Sequence, residues 1–401
     1  MNARIYADHA ATTPVRDEVV AAMLPYFGTR GFNASSLHAE GRASRAAVDD
    51  ARATVARLLG AKPREIVFTS GGSEADNLAV VGAARASGRR GAHVVTVATE
   101  HPATLHAADV LAADGFVVTV LGVDGDGRLA PERFAAALRP QTILASVMLA
   151  NNELGTLHPI AELARIARAR GVRFHCDAVQ APGRVALDVE RLGVDLLALS
   201  AHKFYGPKGV GALYVRAGTP LQAQVVGGGQ EAGLRAGTEN VAGIVGFARA
   251  FELATGERAA EAARLAALRD RFEESVVANV PDVLVHAAAA ERLPNLSSIA
   301  FAGTEASELL VALDLAGVAV SAGSACAAGA GEPSHVLAAI GAPPWAQVAT
   351  LRFSFGKLTR RQDVERIAQT LGEVLRPMRD AHGEVGTSHV GPFMGRSEVR
   401  S

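Results

Sequence analysis

Residues Ser200 to Gly211 read SAHKFYGPKGVG and follow an apolar run, Leu196 to Leu199. Four to eight apolar residues that stop at turn signals read as a buried strand. Lys203 therefore stands just past a strand's end, where open α/β sheets carry their chemistry. Three uses are open to a lysine there: a solvated surface residue, a phosphate ligand or a Schiff-base former. The remainder of the chain has to decide among them.

Upstream, strand-like IVFT after Glu65 runs into Ser70, Gly71, Gly72 and Ser73, followed by the helical pattern EADNLAVVGAARA. A strand, a glycine turn and a helix N-terminus make an anion site, because unpaired backbone N–H groups and the helix dipole point outward together. An ordinary strand-to-helix connection would have the same local pattern. His93 to Val97 reads as the next strand, with Glu100 and His101 at its exit. Gly115 to Leu121 reads as a strand, Pro131 to Leu138 as a helix, and the strand from Ile143 delivers Asn151, Asn152 and Glu153. A helix over Ile160 to Arg170 then leads to VRFHCDAVQ. Such alternation predicts a mostly parallel sheet flanked by helices. In Val172 to Asp177, the period of two puts Arg173, His175 and Asp177 on one side and Cys176 on the other. Cys176 reads as a small hydrophobe. Asp177, a carboxylate ending an apolar strand, needs a cation or hydrogen-bond donors. Near the N-terminus, helices are expected over Arg16 to Phe27 and Ala43 to Leu59. In the second, Val48, Ala51, Val55, Leu58 and Leu59 form one apolar face, and Gly60 closes it.

Downstream lies a second glycine-rich polar region, VVGGGQEAGLRAGTEN, and then a helix over Val241 to Leu268. Beyond it the strand-helix rhythm loosens into SSIAFAG, SELLVALDLAG, VAVS and TLRFSFG, the pattern of a smaller α+β domain. The expected division is a large domain over 16–262, a small domain over 1–15 and 263–380, and a disordered tail over 381–401. In TLRFSFG, Leu351, Phe353 and Phe355 share one face and Arg352 takes the other, as a surface arginine or a site residue. SAGSACAAGAGEP surrounds Cys326 with small residues, which suits either a mobile loop or an inert connector.

Among the 401 residues, 49% are hydrophobic, 20% charged, and the formal net charge is −1. That balance gives no reason to expect binding to nucleic acid or to a membrane surface. The N-terminus, MNARIYADHAATTP, lacks a signal-peptide core, and no stretch of about 18 apolar residues suggests a span. Cys176 and Cys326, far apart, make no disulfide framework, and a reducing cytoplasm is the expected location.

A lysine able to form a Schiff base, an anion-binding helix start, a buried aspartate and a strand-end histidine together are what pyridoxal 5'-phosphate requires of a protein. The ordered set SGGSEADN, TEHPA, ANNELGT, HCDAVQ, SAHKFYGPKG, RAGTEN, SAGSAC and RFSFG resembles the cysteine desulfurases of the NifS/IscS type, within the class V aminotransferase-like pyridoxal enzymes. The likeness runs from Tyr6 to Arg376.

The resemblance implies the type I pyridoxal fold, with Lys203 as the lysine that carries the cofactor. It implies Asp177 at the pyridine nitrogen, Gln180 at the phenolic oxygen and His101 stacked on the ring and moving protons. Gly72, Ser73, Ser200 and His202 would hold the phosphate, with Thr238 supplied across a homodimer interface. Asn152 and Arg352 would fix the substrate L-cysteine, Arg352 through a two-pronged guanidinium. Cys326 would take the sulfur as a persulfide, leaving alanine, and pass it to an acceptor protein such as an iron-sulfur scaffold. The same reaction could feed tRNA thiolation or DNA phosphorothioation, and a selenocysteine lyase or aminotransferase is the alternative on this fold. No metal is implied. Three departures stand out: Ser73 replaces the family's threonine, Ala327 and Ala328 replace hydroxyl residues after Cys326, and the familiar C-terminal sequence is missing.

Overall fold

The structure is a computed structural model describing residues 4–323 and 334–383, with the backbone alone for 381–383. Its centre is a seven-stranded sheet in the order Ile66–Thr69, Gly211–Val215, Leu196–Ser200, Arg173–Asp177, Thr142–Ser146, His93–Val97, Val117–Leu121. Gly211–Val215 runs antiparallel to both neighbours, and every other pairing is parallel. The mostly parallel α/β architecture read from the sequence is thus the architecture found.

Both faces are covered over most of the sheet, which is why its inner strands are largely buried and mostly apolar. On one side Phe68, Val95, Phe174, Cys176, Leu197 and Tyr214 pack with the helices Ala39–Leu59 and Val241–Asn279. On the other, Val67, Val94, Leu196, Ala198 and Leu213 meet the helix Gly72–Ala86, whose Ala75, Ala79 and Ala83 permit close approach. Cys176 is fully buried in the first cluster, as its position in the alternation suggested.

A four-stranded antiparallel sheet, Ser321–Ala322, Thr350–Ser354, Leu296–Phe301, Val283–Val285, builds a second core from Leu351, Phe353 and Phe355 with Phe272 and the helix Arg361–Gly383. Ile5–Tyr6 pairs in parallel with Val318–Ala319 as a separate two-stranded sheet, and Asp8 bridges to Ser354 of the four-stranded one before the segment reaches Ala10 and Ala11 at the cavity beside the first.

Several boundaries differ from the sequence reading. The helix expected to end at Leu268 continues unbroken to Asn279, with Val241–Phe251 in the first core and Leu265–Val276 in the second. No glycine or proline near Leu268 stops it. VAVS splits into two short strands that pair with different partners. Residues 381–383, assigned to the tail, finish the last helix; the remainder of the tail lies outside the described residues. Gly211–Val215 was not anticipated.

Candidate active site

The carboxyl ends of the parallel strands meet around one cavity of about 320 Å³. Its lining includes Gly72, Ser73, His101, Asn152, Asp177, Gln180, Ser200, His202, Lys203 and Arg352, together with Ala10, Ala11, Asp76 and Glu153. Ten positions picked from the sequence therefore converge. Two do not. Thr238 is exposed, away from this cavity, and Cys326 lies outside the described residues.

Backbone geometry explains the convergence. Ser200 pairs with Gly211, and a Cβ on Gly211 would lie 2.6–2.7 Å from backbone atoms of Gly71 and Leu199. Only glycine lets these three backbones meet, which brings the start of the Gly72–Ala86 helix beside Ser200. Gly72 is itself confined: a Cβ there would lie 2.8 Å from Val179 Cγ2 and 3.3 Å from Ser200 Cβ. The first N–H groups of a helix have no intrahelical acceptor. No side chain caps this helix at Gly71, so those donors face the shallow cleft lined by Ser70, Gly72, Ser73, Ser200 and His202. The result is an anion cradle.

Lys203 ends the turn after the Leu196–Ser200 strand, and its Nζ donates to the carbonyls of Ala10 and Ala11, each at 2.7 Å. Burial, then the cations Arg352 and Arg184, bring its amine down to about 8, against the opposing pull of Asp8 and Asp177. The turn is fixed two residues on, where Tyr205 takes a left-handed φ of 68°. Its N–H donates to Thr13 Oγ1, and its hydroxyl accepts from the Lys357 N–H.

Asp177 accepts the Val179 N–H at 2.8 Å, and burial, then Asp76, raise it to about 6. Among the described residues no cation stands within ion-pair distance of it, so a donor from whatever fills the cavity would answer it. His101 caps the helix Pro102–Ala113, its Nδ1 accepting the Ala103 N–H at 3.1 Å. In that arrangement the ring proton sits on Nε2. Burial lowers this imidazole, and Asp177 opposes the shift. Gln180 Nε2 donates to the Ala10 carbonyl at 2.9 Å, and His202 Nδ1 lies 3.1 Å from Thr12 Oγ1.

Arg352 is 2% exposed, which removes the surface alternative. It donates to the Asn152 carbonyl and to Asp8 Oδ1, each at 2.9 Å, and leaves Nε unpaired. Glu153, next to Asn152, accepts the Ser334 hydroxyl at 2.5 Å, and its Oε2 would be 2.6 Å from a Cβ on Gly323. One carboxyl thus touches both residues that flank 324–333.

Sequence reading missed Asp76 and the role of His175. Asp76 sits on the Gly72–Ala86 helix with Oδ1 3.4 Å from His175 Nε2, and His175 Nδ1 is 2.8 Å from Ser146 Oγ. The signal was available: Asp76 is an acid on the stripe that includes Ala79 and Val80, all buried.

These features fit pyridoxal phosphate: an anion cradle at one end, a poised amine in the middle, and a buried carboxylate without a cation at the other. Comparison with known proteins agrees. The class-V aminotransferase family matches residues 5–367. The chain belongs to that family. It is 46% identical over 379 residues to cysteine desulfurase IscS of Dictyoglomus turgidum, covering 94% of this chain and 96% of the relative. It is 49% identical over 383 residues to cysteine desulfurase IscS of an Anaeromyxobacter species (strain Fw109-5), covering 95% and 94%. Among solved structures it resembles a NifS-like protein with a TM-score of 0.88 and 34% identity, covering 93% of this chain and 99% of that one. The chain is a pyridoxal phosphate-dependent cysteine desulfurase of fold type I. No helix among the described residues is long and apolar enough to cross a membrane.

Proposed function

We propose that the chain converts L-cysteine to L-alanine, holds the released sulfur as a persulfide on Cys326, and passes it to an acceptor protein, an iron-sulfur assembly scaffold being the destination. The observation that supports this reading is the single cavity into which an anion cradle, a depressed lysine, a buried aspartate and a buried arginine all open. The iron-sulfur destination rests on the name shared by the two relatives described above, cysteine desulfurase IscS.

Gly72, Ser73, Ser200 and His202 would hold the cofactor's phosphate, Asp177 its pyridine nitrogen and Gln180 its phenolic oxygen, with His101 over the ring and Lys203 as the point of attachment. The bound cofactor supplies an electron sink for charge that develops at the substrate's α-carbon. Arg352 grips the substrate carboxylate, which takes the place of Asp8 on its fork, and Asn152 steadies the same end. Lys203 Nζ would take the α-proton; an amine lowered to about 8 is a competent base at neutral pH. His101 moves the proton that accompanies sulfur release. In balance, the Cβ–S bond of cysteine becomes Cβ–H and the thiol of Cys326 becomes S–SH, with no external oxidant.

Thr238 would complete the phosphate site of a second copy. Supporting a homodimer, Leu24, Phe27 and Leu37 are 65%, 70% and 88% exposed. Arg45 ties that region to the neighbourhood of Thr238 by donating to both the Ala34 carbonyl and Glu239. A cytoplasmic site of action goes with the thiol chemistry.

The test is to trap label from ³⁵S-cysteine on the protein and follow it onward. Label on the wild type but not on C326A, with the visible cofactor band intact in both, supports the reading; full cysteine turnover by C326A would refute it. Transfer of label to RNA or DNA-modifying proteins, and not to an iron-sulfur scaffold, would move the destination.

A further inference from the structure

Arg184 follows the HCDAVQ segment that supplies Asp177 and Gln180, and the roles assigned above do not use it. It is buried, and no carboxylate among the described residues stands within ion-pair distance. A buried guanidinium without an acid is costly unless its donors are used. Its donors have two destinations. Nη1 donates to the Gln180 carbonyl at 2.9 Å and reaches Gln180 Oε1 at 3.5 Å, while Nη2 donates to the Lys203 carbonyl at 3.1 Å.

We propose that Arg184 is a positioning residue that ties Gln180 to Lys203 through the two arms of one buried guanidinium, fixing both against the cofactor. This rests on the assignment of Lys203 and Gln180 made above. Guanidinium donates only, so the side-chain oxygen of Gln180 turns toward Arg184 and its NH₂ turns away. That NH₂ reaches the Ala10 carbonyl, which also receives Lys203 Nζ. Gln180 therefore presents a donor on the side of the cavity where Lys203 sits, the polarity a phenolate oxygen needs. The second arm pins the backbone of the turn that carries Lys203. Charge contributes as well: Arg184 and Arg352 both disfavour a protonated amine at Lys203, while Asp8 and Asp177 favour it. His101 and His202 feel Lys203 in return.

The experiment is a pH titration of the visible band of the bound cofactor in purified holoenzyme, with cofactor dissociation constants measured alongside. Arg184→Met removes charge and both arms, and its band midpoint should rise by about one pH unit, with cofactor binding about tenfold weaker. Arg184→Lys keeps the charge but cannot donate in parallel to two partners; its midpoint should stay within about 0.3 unit of wild type while cofactor binding still weakens severalfold. Wild-type midpoints and wild-type cofactor affinities in both variants, with only a lower melting temperature, would overturn the proposal, since a merely structural arginine predicts that result. Should the Met variant not fold, the Lys variant's cofactor affinity decides alone. Lys203→Ala separates the two claims: if it keeps the lysine-dependent band, the assignment of Lys203 fails, whereas loss of the band there with unchanged Arg184 variants sinks only this inference.

Discussion

Apoenzyme should attach its cofactor with a rate that levels off near pH 8, not near pH 10.5. Attachment needs the neutral amine of Lys203, and burial with Arg352 and Arg184 holds that amine at about 8 against an ordinary 10.5. At pH 7.5 the neutral fraction is then about a quarter, where an unperturbed lysine would offer about one part in a thousand, a gain of roughly 200-fold. Stopped-flow growth of the visible band, run from pH 6.5 to 10, reads this directly. Arg352→Met removes the largest cationic influence and leaves Asp8 without the partner it now meets at 2.9 Å. Both changes raise the amine, so the inflection should move up toward 9, with attachment at pH 7.5 slowed several-fold. The same depression acts on folding. Between about 8 and 10.5 the unfolded chain binds the proton that the folded apoenzyme releases, so stability rises with pH across that window, by up to about 3 kcal/mol. Below 8 both states are protonated and the full penalty stands. In Lys203→Met apoenzyme this rise should vanish. A wild-type rate that climbs with unit slope through pH 9.5, or an inflection that ignores Arg352→Met, would refute the reasoning.

Gly72→Ala should weaken cofactor binding by about 5- to 100-fold, because its Cβ would press on Val179 and Ser200 at the cradle; reconstitution titrations measure it, and wild-type affinity would contradict the cradle. Arg352→Lys should raise KM for cysteine by about tenfold or more while leaving the visible band in place, since an ammonium cannot make the two-pronged contact; steady-state kinetics on holoenzyme decide it. Glu153→Gln keeps the shape of the side chain that meets Ser334 and Gly323 but gives up its carboxylate, and single-turnover persulfide formation should slow by about 3- to 10-fold with little change in cofactor affinity. Asp76→Asn should leave the cofactor bound and the enzyme active within a few-fold, whereas Asp177→Asn should reduce turnover by about 100-fold or more; equal losses in both would contradict the division of roles between the two acids.

Much of this site was legible because strand ends are legible. Asp177, Ser200 and Lys203 each follow an apolar run broken by polar residues, and Gly72 and Ser73 follow IVFT, so local pattern alone places them at one edge of a sheet. Arg352 was legible as a face, through alternation with Leu351 and Phe353, but its partner was not. Asp8 lies 344 positions away, and only the pairing of the N-terminal segment with the second sheet brings it in. Gly211–Val215 was missed for a similar reason. GALYV is short, follows a glycine loop, and owes its existence as a strand to pairing on both sides, with Ile66–Thr69 and Leu196–Ser200. The long helix was cut short because its alanine-rich centre gives no amphipathic signal where it passes from one core to the other.

The acids behind the cavity show how the fold puts one negative charge in one place. Asp76, Glu100 and Asp177 are all buried; Asp177 and Asp76 discourage Glu100 from ionising, and Asp76 does the same to Asp177. Burial raises Asp76 to about 8 and pushes Glu100 well above its ordinary range, while Asp177 reaches only about 6. The difference has a structural source. Asp177 receives a backbone N–H from Val179 and its charge is favoured by His101, whereas Asp76 Oδ1 has no hydrogen-bond partner; Glu100 does accept the Met148 N–H, but Asp177 and Asp76 both oppose its charge. His175, lowered to about 4, stays neutral beside Asp76 and supplies no counter-charge. The surroundings therefore favour the protonated forms of Asp76 and Glu100, and the charge settles on Asp177, at the cavity wall, where a protonated pyridine nitrogen would answer it. Replacing Asp76 by asparagine leaves that distribution intact; replacing Asp177 removes the only charge the arrangement was able to keep.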